Sequence, residues 1–444
     1  MATALDMGLR LCQHYCCQPI CWQLNRWENS KMLRKTVGNW VDGDRFFDRK
    51  AEITELEGRV RDGTHTLLTA QRRMGKTSLV RELLRRLNKT DEAGGIFVDL
   101  EDARDPADAI VAIGLQSKSM RSVWRRFRET AAESLQHVED VQVSELRIGL
   151  RAAINSSNWK HKGDVLLEAL ADHDKRVVLA IDELPLLVNR VLNGPDYRMT
   201  SERIAAADEF LSWLRRNGHA HRDRICLIVS GSVGIAPILK RAGLSATMNI
   251  FSVYGLKPWS QSTASECLAE LAETYHIDLP PDVRIAMCCR LRSCIPHHVQ
   301  QFFDALQRHL ALEGRSNATV EDAVAAYRQD MLGPWGRIDM DHYEERLKLV
   351  LGIAGYRVAL ELLARTAAKG SLDTEAIQGY ERTLRAMGDG GVDQIPHVLD
   401  VLEHDGYLGR GPDGYRFESG LLEDWRRARE GLPFVPFTHD EPRG

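Results

Sequence analysis

Apolar and polar positions recur along this chain with two periods, and the switch between them marks out its elements. Short apolar runs include Thr66-Leu67-Leu68-Thr69, Gly95-Ile96-Phe97-Val98-Asp99-Leu100, Arg176-Val177-Val178-Leu179-Ala180-Ile181 and Arg224-Ile225-Cys226-Leu227-Ile228-Val229. Such runs predict strands buried on both faces, as in a parallel sheet. Between them the apolar positions fall three and four apart: Leu79, Val80, Leu83, Leu84 and Leu87 predict a helix over 78–87, and similar patterns predict helices over 49–61, through most of 106–170, and over 202–217. Strand alternating with helix predicts an α/β core with a parallel sheet between helices.

Beyond a link at Tyr254-Gly255-Leu256-Lys257-Pro258-Trp259-Ser260 the pattern is helical, at 262–275, 281–291, 296–313 and 319–331. After a second link, Gly333-Pro334-Trp335-Gly336, it predicts helices over 341–351, 355–368, 373–387 and 391–405. Two aromatic-bearing strands around a Gly/Pro/Asp turn follow between Tyr407 and Phe417, which is a hairpin signal. Helices followed by such a hairpin make a winged helix. The expected division is an N-terminal extension at 1–40, a core at 41–253, a helical unit at 254–334, a winged-helix unit at 335–430 and a tail at 431–444.

The strand ends carry the chemistry. Between the first strand and its helix lies Ala70-Gln71-Arg72-Arg73-Met74-Gly75-Lys76-Thr77-Ser78. It fits the phosphate loop G-x-x-x-x-G-K-[ST] with Ala70 in place of the first glycine. Loop amides and the helix N-terminus point at phosphate oxygens, and Gly75 lets the backbone approach closely. Lys76 then neutralises the β- and γ-phosphates, and the Thr77 hydroxyl holds Mg²⁺. A chance Gly-Lys-Thr in a basic turn is the bland alternative. The third strand ends in Asp182-Glu183, at the carboxyl edge where open α/β sheets bind ligands. There Asp182 can hold Mg²⁺ through water and Glu183 can polarise an attacking water; a helix N-cap is the other account of the two acids. The fourth strand ends in Ser230-Gly231-Ser232, whose hydroxyls can orient the water or touch the terminal phosphate, or make an ordinary turn.

These motifs resemble the STAND and archaeal-type ATPases of the AAA+ group, near the initiator ATPases, over about residues 41–430. Phe46-Phe47-Asp48-Arg49-Lys50-Ala51-Glu52 resembles the family box before the phosphate loop, with Arg49 and Glu52 matching and Asp48 and Lys50 departing from it. The resemblance places Phe47 and Arg49 near the adenine; Asp48 as a helix cap is the plain alternative. Leu256-Lys257-Pro258-Trp259-Ser260 resembles the family link to a helical lid. Cys294-Ile295-Pro296 resembles a turn that lies against the nucleotide, with Cys294 replacing glycine; Pro296 as a first-turn helix residue competes. His297 and His298 read as surface at a helix start. The resemblance implies an ATP-binding protein and ATP hydrolase, with ATP and Mg²⁺ as cofactors, acting as a nucleotide-dependent switch. A DNA-associated initiator-like or mobile-element ATPase and a nucleotide-binding scaffold with little turnover stay open.

Composition narrows the partners. The 444 residues are 43% apolar and 27% charged with a formal net charge of −4, so no bulk basicity draws the chain to nucleic acid or an anionic membrane. Between residues 340 and 430 there are 12 Lys plus Arg against 17 Asp plus Glu, which disfavours DNA as the partner of the winged helix and favours a protein partner or self-association. The basic-aromatic run Val123 to Arg128 reads as an amphipathic helix with a solvated face, and Lys240 and Arg241 are candidates for a charge offered to a neighbouring copy. No apolar run is long enough to cross a bilayer, so a cytoplasmic location is expected. Four of the nine cysteines, Cys12, Cys16, Cys17 and Cys21, crowd an extension expected to be loosely ordered, with a spacing that suits no familiar zinc site.

Overall fold

In the computed structural model, residues 33–131, 142–388 and 390–435 are described. The N-terminal cysteine cluster and most of the expected extension lie outside them.

Five strands, β1 (Thr66–Thr69), β2 (Gly94–Asp99), β3 (Val177–Asp182), β4 (Ile225–Ser230) and β5 (Ser252–Gly255), form one parallel sheet in the order β2-β3-β4-β1-β5. Successive side chains of a strand point to opposite faces, so an unbroken apolar run is needed where both faces are covered. The two cores show this residue by residue. Val177, Leu179 and Ile181 of β3 join Leu227 and Val229 of β4 in a core with the helices Pro106–Gln116, Trp159–Ala171, Leu184–Asn193 and Ser201–Ala220. Val178 and Ala180 join Cys226 and Ile228 on the other face, under Ile53, Leu56 and Val60 of the helix Lys50–Arg61 and Leu79, Leu83 and Leu87 of the helix Lys76–Thr90.

Register then sets the level of the chemistry. Val229 of β4 pairs with Ile181 of β3 on one side and Leu67 of β1 on the other. The next residues, Asp182, Ser230 and Leu68, therefore sit side by side at the carboxyl edge, just beneath the loop that leaves β1. Asp99, the last residue of β2, pairs with Asp182 and adds a third acid to this edge.

After β5 the chain turns into the helices Gln261–Thr274, Pro281–Leu291, Pro296–Leu312 and Val320–Ala326, the last continued by a π turn at Tyr327–Met331. Pro281 and Pro296 stand at first-turn positions, where the missing amide costs nothing, and Thr319 and Asp322 close a capping box. The C-terminal part comprises Pro334–Lys369, Thr374–Ala386, Ile395–His404, an antiparallel hairpin of β6 (Leu408–Gly411) and β7 (Gly414–Phe417), and Gly420–Arg429. Leu372 bridges Tyr415 and extends the hairpin by one more pairing.

Two local expectations change, and one alternative falls. The helices expected at 341–351 and 355–368 run from Pro334 to Lys369 with one break, at Gly352 (φ 67°, ψ −175°). Asp48 makes no cap: the residue preceding the helix is Arg49, and both have left-handed φ, 57° and 63°. His298 is not surface. It is fully buried, because the C-terminal helix packs over the turn that carries it.

Candidate nucleotide site

The helix Lys76–Thr90 starts directly from the loop after β1, with Gly75 at its N-cap in the left-handed region (φ 87°). A Cβ built on Gly75 would meet nothing within 4 Å, so nothing crowds the backbone on that side of the helix start. Arg73 also has φ 66°, whereas Ala70 is absent from the positive-φ residues, so the side chain that replaces the motif glycine carries no backbone strain. Met74 buries its side chain in the core beneath the loop and offers only its backbone to a ligand.

Lys76 is 7% exposed, and its ammonium donates to the carbonyls of Ala70 (2.7 Å) and Gln71 (3.2 Å). Burial lowers its pKa, opposed by the charges of Glu183 and Asp182. The Thr77 hydroxyl donates to Asp182 Oδ2 at 2.6 Å, and the Ser230 hydroxyl donates to Asp182 Oδ1 at 2.7 Å. The metal-holding pair expected from sequence is thus in direct contact, bridging the loop helix and the third strand. Two oxygens on hard-cation ligands beside a lysine and an open helix N-terminus suit Mg²⁺ on a polyphosphate.

Glu183 caps the helix Leu184–Asn193 with φ 59°, a strained conformation for a non-glycine residue. Its Oε2 accepts from the Ser232 amide (3.0 Å) and hydroxyl (2.9 Å). Burial, then the neighbouring Asp182 charge, raises its pKa, which makes it a stronger base once ionised. The two serines therefore divide the acids between them, Ser230 holding Asp182 and Ser232 holding Glu183. Gly231 between them is obligatory for space: a Cβ there would lie 2.5 Å from Pro185 Cδ.

Other expected residues sit one step back. The Ser78 hydroxyl accepts from the Val41 amide at 3.0 Å, and so fastens the segment before the core to the loop helix. Arg49 donates to Glu52 (2.7 Å) and to the Lys257 carbonyl (2.8 Å), while Phe47 meets Trp259 edge-on at 5.5 Å. These two residues clasp the link after β5. Pro296 begins the helix whose first turn also carries His298; His298 bonds Tyr343 Oη at 3.2 Å. Lys240 pairs with Asp400, an intramolecular use of a charge expected to face another copy. The basic-aromatic helix near Trp124 buries Val123 and Phe127 and pairs Arg126 with Asp172, and takes no part in the site.

Sequence reasoning missed the cover of the loop. The Gln71 side chain donates to the Gly406 carbonyl at 2.7 Å, and Tyr343 Oη lies 3.5 Å from the Arg72 carbonyl. Tyr407 donates to the Tyr343 carbonyl at 2.9 Å, Asp405 accepts from the Gly234 amide at 2.8 Å, and Arg346 pairs with Glu101 at 2.8 Å. Residues 271 and 335 positions apart meet here. No local pattern announces such contacts.

Residues 46–243 match the family model described as an ATPase domain predominantly from Archaea, so this part of the chain is an ATPase domain of the P-loop kind. No curated protein matches the sequence. Among solved structures, a Walker-type ATPase of Pyrococcus abyssi superposes with a TM-score of 0.55 at 15% identity, covering 88% of this chain and 99% of that one. The ORC2 protein of Aeropyrum pernix, solved with ADPNP and ADP, superposes with a TM-score of 0.52 at 12% identity, covering 91% and 98%. These likenesses extend the shared fold through the helical C-terminal region. No helix among the described residues is long and apolar enough to cross a membrane.

Proposed function

We propose that the protein is an ATP-driven switch of the STAND and archaeal-type kind. It binds ATP at the loop, hydrolyses the γ-phosphate and couples nucleotide state to the seating of a lid (254–334) and a winged-helix unit (335–430). The observation that carries this is the convergence of Lys76, Thr77, Asp182, Glu183 and Ser230 on one sheet edge beneath an open helix N-terminus.

The roles follow from the contacts. Gly75 and the loop amides cradle the phosphates, and Lys76 gives up its bonds to Ala70 and Gln71 for phosphate oxygens. Thr77 and Asp182 would hold Mg²⁺, which would neutralise negative charge on the phosphates. Glu183, released from Ser232, polarises the water that attacks the γ-phosphorus as ADP leaves. The switch follows from the cover: Gln71 and Arg72, two loop residues, are in contact with the C-terminal part, so occupation of the loop is felt there. A protein partner or a second copy of the chain is the recipient we favour over DNA, given the acidic balance of residues 340–430.

Phosphate release by wild type and Glu183→Gln tests the reading: loss of turnover on the order of 10²-fold or more is expected for the variant. Equal rates near zero for both would leave a binding scaffold. Lys76→Ala should lose most of its affinity for both ATP and ADP, and unchanged affinity would overturn the loop assignment. A change of mass in solution between ADP and a non-hydrolysable ATP analogue would show that assembly follows the nucleotide.

A further inference from the structure

Away from the nucleotide site, three side chains at the junction of two helices turn metal-ligating atoms toward one another. His309 and Glu313 lie four positions apart, on one face at the end of the helix Pro296–Leu312. Asp322 stands in the first turn of the helix Val320–Ala326, which folds back against it. The imidazole Nε2 of His309 is 3.4 Å from Asp322 Oδ1 and 3.6 Å from Glu313 Oε1, and the three ligand atoms all lie within 4.8 Å of one another. These separations are long for hydrogen bonds. They match the spacing of ligands around a tetrahedral ion: two atoms bonded at about 2.0–2.1 Å and set at the tetrahedral angle lie about 3.4 Å apart.

The ligands are held from behind. Asp322 Oδ2 accepts from the Thr319 amide (2.9 Å) and hydroxyl (3.0 Å) within the capping box, which fixes the carboxylate and leaves Oδ1 facing His309. The side chains of Asp322 and His309 are 7% and 14% exposed and that of Glu313 is 47% exposed, so an ion has a way in from solvent. The acids already have a counter-charge: Arg315 donates to Glu313 Oε2 (2.6 Å) and to both oxygens of Asp322 (2.5 and 3.2 Å). Glu313 Oε1 turns to His309 rather than to that guanidinium. Arg315 therefore marks a place where positive charge is stabilising, and it is the group that a metal ion has to compete with.

We propose that His309 Nε2, Glu313 Oε1 and Asp322 Oδ1 form a site for a divalent cation of the zinc class, with water in the remaining position on the solvent side. An imidazole with two carboxylates suits zinc better than Mg²⁺, which takes oxygen ligands in an octahedral array. Binding moves Arg315 off Asp322 Oδ1 and pins the end of one helix to the start of the next. The second helix runs on through the π turn to Tyr327, whose hydroxyl donates to Asp424 of the helix Gly420–Arg429 at 2.8 Å. The ion thus stiffens the stretch by which the helical region after β5 holds the C-terminal part.

The test titrates Zn²⁺ into metal-stripped full-length wild type, His309→Ala, Glu313→Gln and Arg315→Gln, by calorimetry and by thermal unfolding, with Mg²⁺ as the control ion. Cys12, Cys16, Cys17 and Cys21 can take zinc on their own, so the site is read as the equivalent that wild type binds and His309→Ala does not. Glu313→Gln should weaken that equivalent by on the order of tenfold or more, whereas Arg315→Gln, which removes the competing charge, should tighten it by a similar factor. Zinc should raise the unfolding midpoint of wild type more than that of His309→Ala, and Mg²⁺ should not distinguish them. If wild type and His309→Ala bind the same number of zinc ions with the same affinity, the proposal fails and the group is an acid pair clamped by an arginine. If Arg315→Gln does not tighten zinc, the competition fails with it. Phosphate release does not enter the comparison, so either failure leaves the ATPase reading untouched.

Discussion

The phosphate corner and the cover over it do neighbouring jobs with opposite construction. The corner is made by residues at the ends of adjacent strands, fixed by sheet register and by short hydrogen bonds among Thr77, Asp182, Ser230, Glu183 and Ser232. The cover is made by contacts across long stretches of chain, several of them single hydrogen bonds or surface ion pairs such as Lys240 with Asp400. A register-locked corner can hold reacting groups in place, whereas scattered contacts can be broken and remade one at a time. Under the proposed function, that difference suits a switch, with rigid chemistry beneath a separable cover.

The sharpest way to break the comparison is to disturb the corner. Gly231→Ala places a Cβ against Pro185, whose ring cannot swing aside, and should cost about 1–3 kcal/mol with loss of turnover. Thermal unfolding and phosphate release check it, and a wild-type-like variant would show the corner to be more compliant than its contacts suggest.

Gly406→Ala tests the cover. Its φ of 73° strains any side chain, and the new Cβ would meet Gln71 at 2.9 Å, the far end of a flexible side chain. We expect roughly 1–2 kcal/mol, felt as faster nucleotide release with the corner intact. Slower release would reverse the assignment of Gly406 to the cover.

Acidification should act on another part of the cover, where the helix Ile395–His404 meets Lys240 and Arg241 of the helix Ile235–Ala242. Burial, then the Arg241 charge, pushes the His397 pKa down to about 4 from an ordinary 6.5. Its folded form stays neutral where the unfolded form takes up a proton, so this contribution is complete above pH 6.5 and is lost as the pH falls toward 4. Unfolding midpoints between pH 7 and 4.5 should fall less steeply for His397→Asn than for wild type. The smallest effect belongs to Lys240→Ala: an exposed pair contributes about 0–1 kcal/mol, less at high salt, and nucleotide exchange should barely respond.

The legibility of the molecule in its sequence follows the same division. The strands could be read because burial on both faces forces unbroken apolar runs such as Val177 to Ile181. The loop and the acids after β3 could be read because Lys76, Thr77, Asp182 and Glu183 occur at strand ends in spacings with a mechanical reason. Asp99 could have been added by the same logic, since β2 also ends in an acid. The alternative that made Asp48 a helix cap fails because a cap is inferred from residue type, while the chain enters that helix through two left-handed residues. His298 and Arg346 were out of reach, since a polar residue on a helix looks solvated until something packs over it. His298 is covered by a residue 45 positions on, and Arg346 pairs with one 245 positions back.

The break at Gly352 gives the long C-terminal helix an elbow. Tyr343 and Arg346 lie on the near arm, and the far arm leads to Leu372 and the hairpin. With φ 67° and ψ −175°, this joint interrupts the hydrogen-bond ladder that would make the two arms one rod. The two arms therefore meet at a joint whose angle a single substitution at Gly352 can reset, without altering Lys76, Thr77, Asp182 or Glu183.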